Sequence, residues 1–344
     1  MKKKVFKIIL GLILIFSIIA GVLLSSLFAP NIKTADKKVY IDVPEHIGID
    51  SLTHILSPYL QSYQQFKWAA AIKRFKHPKA GRYLLKNNMN NNELINLLRI
   101  GKRLEVNLTF NNRNSLPELA GAVSRQIQPD SLQLLQSMRD QNFIAQNGFT
   151  PDNILLMYIP NTYRMYYNTT SDKFRNKMLN EYHKFWNKER IALAKKQGLN
   201  PIEAGILASI VQKESTKTSE LPRIAGVYLN RLKKNMLLQA DPTVVFAYKQ
   251  KYGKDLIIKR VLNKHKAVES PYNTYKHRGL PPGPICMPDI QAIEAVLHPE
   301  KHNYLYFVAD FDKPGYHIFS QNLSEHNRHA QTYHRNLNRS GIYH

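Results

Sequence analysis

Apolar positions are unevenly spread along this chain, and the first cluster of them is unbroken. Residues 8–29 (IILGLILIFSIIAGVLLSSLFA) carry no charge, and these 22 residues at about 1.5 Å each make roughly 33 Å of helix, enough to cross a hydrocarbon core. A cleaved signal peptide has a shorter apolar region, of about 7 to 15 residues, followed by a small-x-small cleavage site. Here Phe28 interrupts that site and Pro30 follows Ala29, so a retained membrane anchor is expected. Lys2, Lys3, Lys4 and Lys7 precede the run, which directs the N-terminus to the cytoplasm and the body to the other side. Lys33, Lys37 and Lys38 after the run weaken that asymmetry.

Beyond the run, periodicity defines shorter elements. Residues 30–37 (PNIKTADK) are polar and aperiodic and read as a linker lifting the body off the membrane, with folded structure starting near Val39. Val39–Val43 alternates like a strand, residues 50–58 and 62–74 carry helical patterns, and leucines recur at helical spacing over 91–98, together a small α+β module. Leu104, Val106, Leu108 and Phe110 alternate with polar residues as in another strand, and residues 115–127 read as a helix capped by Ser115 with Glu118 three positions on. A boundary near residue 102 divides the chain into a stub and anchor (1–29), a linker (30–38), a small module (39–102) and a larger domain (103–344).

The larger domain is helix-rich over 200–248. Its 270–288 stretch (SPYNTYKHRGLPPGPICMP) holds five prolines and two glycines, which makes regular structure unfavourable, and a loop of this length usually carries function. Residues 304–309 and 316–320 flank a Pro-Gly pair as in a hairpin, and a polar helix closes the chain. The fold class expected is α+β: an N-terminal transmembrane helix, a small α+β module and a larger helix-rich α+β domain.

Composition changes this picture little. With 344 residues the chain suffices for two domains and an anchor. Its 49 Lys+Arg against 25 Asp+Glu suit nucleic acid, anionic headgroups or a carboxylate-bearing polymer. An extracytoplasmic body places that charge away from nucleic acid, which is not expected as a partner. The single cysteine, Cys286, excludes an intramolecular disulfide and a cysteine-based zinc cluster.

The most informative stretch is 200–215 (NPIEAGILASIVQKES). Asn200, Pro201 and Glu203 supply the cap, first turn and capping-box position of a helix. At about 100° per residue, Ile206, Leu207, Ile210 and Val211 form one stripe with Glu214 near its centre, whereas Gln212 points almost directly away. A carboxyl group at the end of a buried stripe has its pKa raised, as a general acid near neutral pH requires. The alternative is that the helix ends here and Glu214 escapes to solvent.

Several motifs, in order, resemble the MltG (YceG-like) family of endolytic murein transglycosylases. Residues 207–215 (LASIVQKES) are similar to its glutamate-bearing helix, and 227–232 (VYLNRL) and 238–244 (LQADPTV) to its next signature. Residues 270–275 (SPYNTY), 279–285 (GLPPGPI), 304–309 (YLYFVA), His317, Phe319, His326 and Asn327 follow as the family has them, and residues 81–84 and 94–101 resemble its LysM-like subdomain. Gln212 stands where the family often has a second glutamate, and Leu155, Leu156 and Asn161 depart from a glutamate-glycine pair and an aspartate near the YIPNTY stretch.

The resemblance implies an enzyme that cuts the MurNAc–GlcNAc bond of peptidoglycan glycan strands inside the strand. Glu214 is then the one essential acid/base, leaving 1,6-anhydro-MurNAc ends and terminating strand elongation. It implies a single-pass protein of the cell inner membrane with an extracytoplasmic body, working beside glycan-polymerising synthases. Gln239, Asp241, Tyr272, Asn273 and Tyr275 are the expected substrate contacts. Asp241 is either a second carboxylate near the reaction or an N-cap ahead of Pro242. Tyr272, Asn273 and Tyr275 either face sugar rings or are turn residues packed on the core. Gly279 and Gly283 are expected to set the loop backbone. His326, His329 and His334 lack an H-E-x-x-H pattern, and no metal or other cofactor is expected. Competing functions are a muramidase that uses water, with Asp241 as its base, and a non-catalytic glycan-binding scaffold.

Overall fold

A computed structural model describes residues 2–36, 38–44, 46–101, 104–253, 255–258 and 260–339. In chain order the elements are α1 (Lys2–Phe28), β1 (Val39–Val43), α2 (Ile49–Leu56), α3 (Tyr63–Ile72), β2 (Gly81–Leu85), α4 (Asn91–Ile100), β3 (Glu105–Phe110), α5 (Leu116–Ser124), α6 (Ser131–Met138), α7 (Gln141–Gln146), β4 (Asn161–Tyr166), α8 (Ser171–Phe185), α9 (Lys188–Lys196), α10 (Pro201–Glu214), α11 (Leu221–Lys233), α12 (Asp241–Tyr252), α13 (Asn263–Lys266), α14 (Ile290–Leu297), β5 (Tyr306–Ala309), β6 (His317–Ser320) and α15 (Leu323–Arg339). Among the described residues the strands form three separate pairs, β1-β2, β3-β4 and β5-β6. The architecture is mixed α+β and rich in helix. Two compact units are present, and the division between them falls within β3 and β4. The expected boundary near 102 lies beside Lys102 and Arg103, which are outside the described residues.

The first unit carries α1, in which Phe6–Phe28 is long and apolar enough to cross a membrane. Its small globular part is built on the antiparallel β1-β2 pair, with Val39 opposite Leu85 and Val43 opposite Gly81. Ile41, Val43, Leu52, Phe66, Tyr83 and Leu94 form its core. Asn90 and Glu93 close a reciprocal capping box on α4, and Gly101 ends that helix in the left-handed conformation.

The expectation of a free linker at 30–37 is corrected for its described part, residues 30–36; Lys37 is outside the described residues. Pro30 and Ile32 make bridges to Asn90 and Leu60. The amides of Asn31 and Ile32 donate to Met89 O, and that of Lys33 to Tyr59 O. Ile32 has no exposed surface and belongs to the small core. Asn31, equally buried, donates from Nδ2 to Ser62 O and Asn91 Oδ1, both at 2.9 Å, and its Oδ1 accepts from Ser62 N at 2.7 Å. The Asn91 side chain donates in turn to Ser26 O, in the last turn of α1, at 2.8 Å. Polar composition concealed this because the segment is held by backbone and amide hydrogen bonds and by one apolar side chain. Asn31→Ala removes three hydrogen bonds, the one to Asn91 fully buried, and thermal denaturation should show a loss of about 1–3 kcal/mol.

The second unit is organised around α10, which packs against α9, α11, α12 and α14. The helix starts as its sequence dictates, with Asn200 and Glu203 completing a capping box. Every residue from Ala204 to Val211 is buried, so α10 is apolar all round and not a one-sided stripe. Leu155 and Leu156 lie in a buried 3-10 turn, Ile154–Met157, and the Leu156 side chain presses on Gly205 so closely that a Cβ there would meet it at 2.9 Å. Asn161 opens β4 and is exposed. The Pro-Gly hairpin forms as expected, with β5 and β6 antiparallel and Ala309 opposite His317.

Candidate active site

Glu214 is the last residue of α10, and where the helix stops, the chain extends through Ser215. The residue is half-buried, and its carboxyl end is the enclosed part. Tyr228, on α11 and almost fully buried, donates its hydroxyl proton to Glu214 Oε1. Burial pushes the Glu214 carboxyl up to about 7; the Tyr228 hydrogen bond opposes this, the Asp241 carboxylate adds to it, and the Arg231 cation opposes it. Desolvation dominates because one hydroxyl contact replaces only part of the hydration an ionised carboxylate loses. Glu214 therefore holds its proton near neutral pH and can still release it. Tyr228 lies three residues before Arg231, on one side of α11. Arg231 is itself anchored by donation to Leu305 O at 2.6 Å and Leu238 O at 2.7 Å.

A groove of about 390 Å³ opens at this helix end, lined beside Glu214 by Asn112, Gln212, Lys213, Thr218, Asp289 and Gln291. Gln212 thus shares the groove with Glu214. Its Oε1 accepts from Asp289 N at 2.5 Å, and Asn112 donates to Asp289 Oδ2 at 3.1 Å. Stripe geometry did not separate the two residues; the Tyr228 contact and burial do.

The segment after Glu214 is fixed by a second buried carboxylate. Glu220 accepts from the His317 amide at 2.9 Å, lies 2.9 Å from His317 Nδ1, and accepts from the Ser215 hydroxyl at 3.2 Å. The ring of His317 packs edge-on to Phe307, which packs edge-on to Tyr228. Neither Tyr228 nor Glu220 stands out in the sequence as a partner of this site, because 14 residues separate Tyr228 from Glu214 and 97 separate Glu220 from His317.

The other expected residues divide into two groups. Gln239, Asp241 and Tyr275 come together: Gln239 is exposed, with left-handed backbone (φ +50°), and Tyr275 donates to Asp241 Oδ1 at 2.6 Å. The Asp241 N-cap alternative is corrected. The capping position falls on Ala240, without any side-chain cap, and the Asp241 carboxylate is turned to Tyr275. Burial, then the Asp241 hydrogen bond, push the Tyr275 hydroxyl up, and the Glu214 charge adds to this, so Asp241 and Tyr275 lie within electrostatic reach of Glu214.

Tyr272 and Asn273 are instead buried loop residues, and the expectation that Asn273 contacts substrate is corrected by its having no exposed surface. Its Nδ2 donates to Lys266 O and Val268 O at 2.9 and 2.8 Å, and its Oδ1 accepts from Tyr275 N at 3.0 Å, so the amide is spent on shaping the loop. Tyr272 packs on Phe246 and reaches Asp152 Oδ1 at 3.4 Å. In α15, His326 stacks on Tyr306 and His329 Nδ1 lies 3.0 Å from the Ser320 hydroxyl; the side chain of His334 is outside the described residues.

Tyr228→Phe removes a hydrogen bond that favours the ionised carboxylate, so the high-pH limb of activity should move to higher pH. A change in maximal rate of less than about tenfold is expected, since a hydrogen bond of this kind is worth about 1–1.5 kcal/mol. A pH–rate profile of the variant checks both.

The fold and site define a helix-rich α+β protein with a sheltered, proton-holding carboxyl group at the mouth of a polar groove. Among families, the YceG-like family matches residues 41–332, and the chain belongs to it. The chain is 32% identical to the endolytic murein transglycosylase of Bacillus subtilis (strain 168) over 92% of this chain and 91% of that protein. It is 28% identical to that of Streptococcus pneumoniae serotype 2 over 85% of this chain and 58% of the longer relative. The crystal structure of a yceG-like protein from Listeria monocytogenes superposes with a TM-score of 0.54 at 27% identity, covering 85% of this chain and 98% of that one.

Proposed function

We propose that this protein is a membrane-anchored endolytic transglycosylase that cleaves peptidoglycan glycan strands with Glu214 as its acid and base. The observation that carries the reading is the Glu214 carboxyl group, held up to about 7 by burial at the edge of an open groove; family membership and the activity named for its relatives support it.

In the first step the protonated carboxyl group gives its proton to the oxygen linking MurNAc to GlcNAc. The C1–oxygen bond then breaks and positive charge develops on the muramyl ring. In the second step the muramyl 6-hydroxyl attacks C1 and its proton passes to the carboxylate, which restores the starting acid and leaves a 1,6-anhydro end. An intramolecular hydroxyl has a high effective concentration, so one carboxyl group suffices provided bulk water is held off. Tyr228 holds Oε1, which leaves Oε2 to carry the proton. The Asp241 carboxylate, steadied by Tyr275, stabilises the developing cation, and Gln239 lies beside it for a sugar hydroxyl or acetamido group. The polar groove residues receive the flanking saccharide.

The small first unit is proposed as a LysM-like glycan-holding module, and α1 as a single-pass inner-membrane anchor with an extracytoplasmic body. Glycan-polymerising synthases that extrude nascent strands at the membrane are the proposed partners. Mass spectrometry of glycan strands digested by the purified protein tests the reaction: anhydro ends on internal fragments are expected. Hydrated reducing ends would assign a water-using muramidase, and intact strands a binding scaffold.

A further inference from the structure

We infer that the outer face of α3 lies in the membrane interface, so that the small unit is docked onto the bilayer by contacts of its own and does not hang from a free tether. This rests on the reading of α1 as a membrane span.

Phe6–Phe28 has 23 residues, whereas a hydrocarbon core of about 30 Å takes roughly 20 at 1.5 Å each. The last turn of α1 therefore emerges at headgroup level, and that turn is where the small unit attaches. Ser26 is almost fully buried and its carbonyl accepts from Asn91. Leu27 packs on the small core, and α1 packs against both α3 and α4. The Asn31–Ser62 hydrogen bonds tie the chain leaving α1 to the first residues of α3. Helix α3 is thus fixed at the depth where the span ends.

The face that α3 turns outward is amphipathic, with exposed apolar side chains beside Gln64 and the Asp50-paired Lys67. Phe66, Ala69 and Ala70 point into the core, while Tyr63, Trp68 and Ile72 are 50%, 48% and 42% exposed. At 100° per residue Trp68 and Ile72 are neighbours on the half of the helix opposite the buried one, and Tyr63 lies at the margin of the buried half, beside Ala70. Tyrosine and tryptophan have an apolar body with a polar edge and favour the headgroup boundary. Phe28, at the end of α1, is also exposed. Arg74 and Lys76 follow directly and are exposed, positioned for anionic phosphates. An exposed Trp68–Ile72 pair on an amphipathic helix followed by cations, beside an emerging span, matches a lipid interface in both chemistry and depth.

The chain has two tryptophans, and Trp186 is buried, so full-length Trp186→Phe leaves Trp68 as sole reporter. Reconstituted in vesicles containing phosphatidylglycerol, Trp68 should emit at blue-shifted wavelength. Lipids brominated near the top of the acyl chain should quench it at least about twofold, as expected of an interfacial indole, and aqueous acrylamide only weakly. Should Trp186→Phe fail to fold, a nitroxide on Ile72→Cys, read by oxygen against nickel relaxation, reports the same depth, because Cys286 is buried. A water-like Trp68 or Ile72 signal in protein that floats with vesicles and resists carbonate overturns the docking while leaving the anchor intact. Extraction by carbonate overturns both.

Discussion

Glu214→Gln lowers glycan cleavage by about 10³- to 10⁴-fold, the upper part of the range for a general acid/base, because one carboxyl group serves both proton transfers. Glutamine keeps the shape and can still accept the Tyr228 hydrogen bond, so the loss falls on the chemical step and binding of intact strands is retained. The same substitution has a second, opposite consequence. A carboxyl group at about 7 in the folded protein and at its ordinary 4.5 when unfolded binds more protons when folded between those values, so folding stability falls as pH rises through that window. Below 4.5 the penalty is absent; above 7 it is complete, at about 3 kcal/mol. Glu214→Gln carries no such penalty. Its melting temperature should exceed that of the wild type at pH 8 and converge with it near pH 4. Activity of the wild type should fall as pH rises above about 7, since the first step consumes the acid form. A variant that retained cleavage, or a stability difference independent of pH, would remove Glu214 from its assigned role.

Gly283→Ala should be the most damaging of the conservative substitutions outside the acid. A Cβ at Gly283 would overlap the Asp152 carbonyl oxygen and lie 2.7 Å from its carbon and 2.8 Å from the Tyr272 hydroxyl. Two of those atoms are backbone, which cannot rotate away as a side chain can. The 270–288 loop or the turn preceding Ile154 must move, at a cost of about 3 kcal/mol, the upper end for overpacking. Because the loop also carries Tyr275 against Asp241, the displacement should lower cleavage as well as thermal stability. Gly279→Ala is the contrast: nothing lies within 4 Å of its Cβ position, and its left-handed φ of +81° is the only obstacle, a cost of about 1–2 kcal/mol. Parallel melts of the two variants test the distinction, and equal stabilities would contradict it.

Local chemistry was readable wherever partners are near in sequence. Asn200 and Glu203 cap α10, Ser115 caps α5 by accepting from Glu118 N, and the Pro-Gly pair turns the β5-β6 hairpin. Each depends on residues within a few positions of one another. Residue order also pointed to Glu214, through its place at the end of an apolar run and the motifs around it. The apolar stripe alone does not single it out, since α10 is buried on every side from Ala204 to Val211 and Gln212 lines the same groove.

What the sequence by itself determined was the long apolar N-terminal helix, most element positions, the irregular 270–288 loop and the place of Glu214 at the end of an apolar helix, because hydrophobic period, capping and turn chemistry act over a turn or two of chain. Only the tertiary structure decided that Tyr228 holds the carboxyl group, that Glu220 and His317 brace the residue after it, that Asn273 shapes the loop from inside, and that Ile32 is part of the small core. Burial and hydrogen bonding between residues tens of positions apart are set by how helices pack, and no local pattern encodes which buried donor a given acceptor will meet.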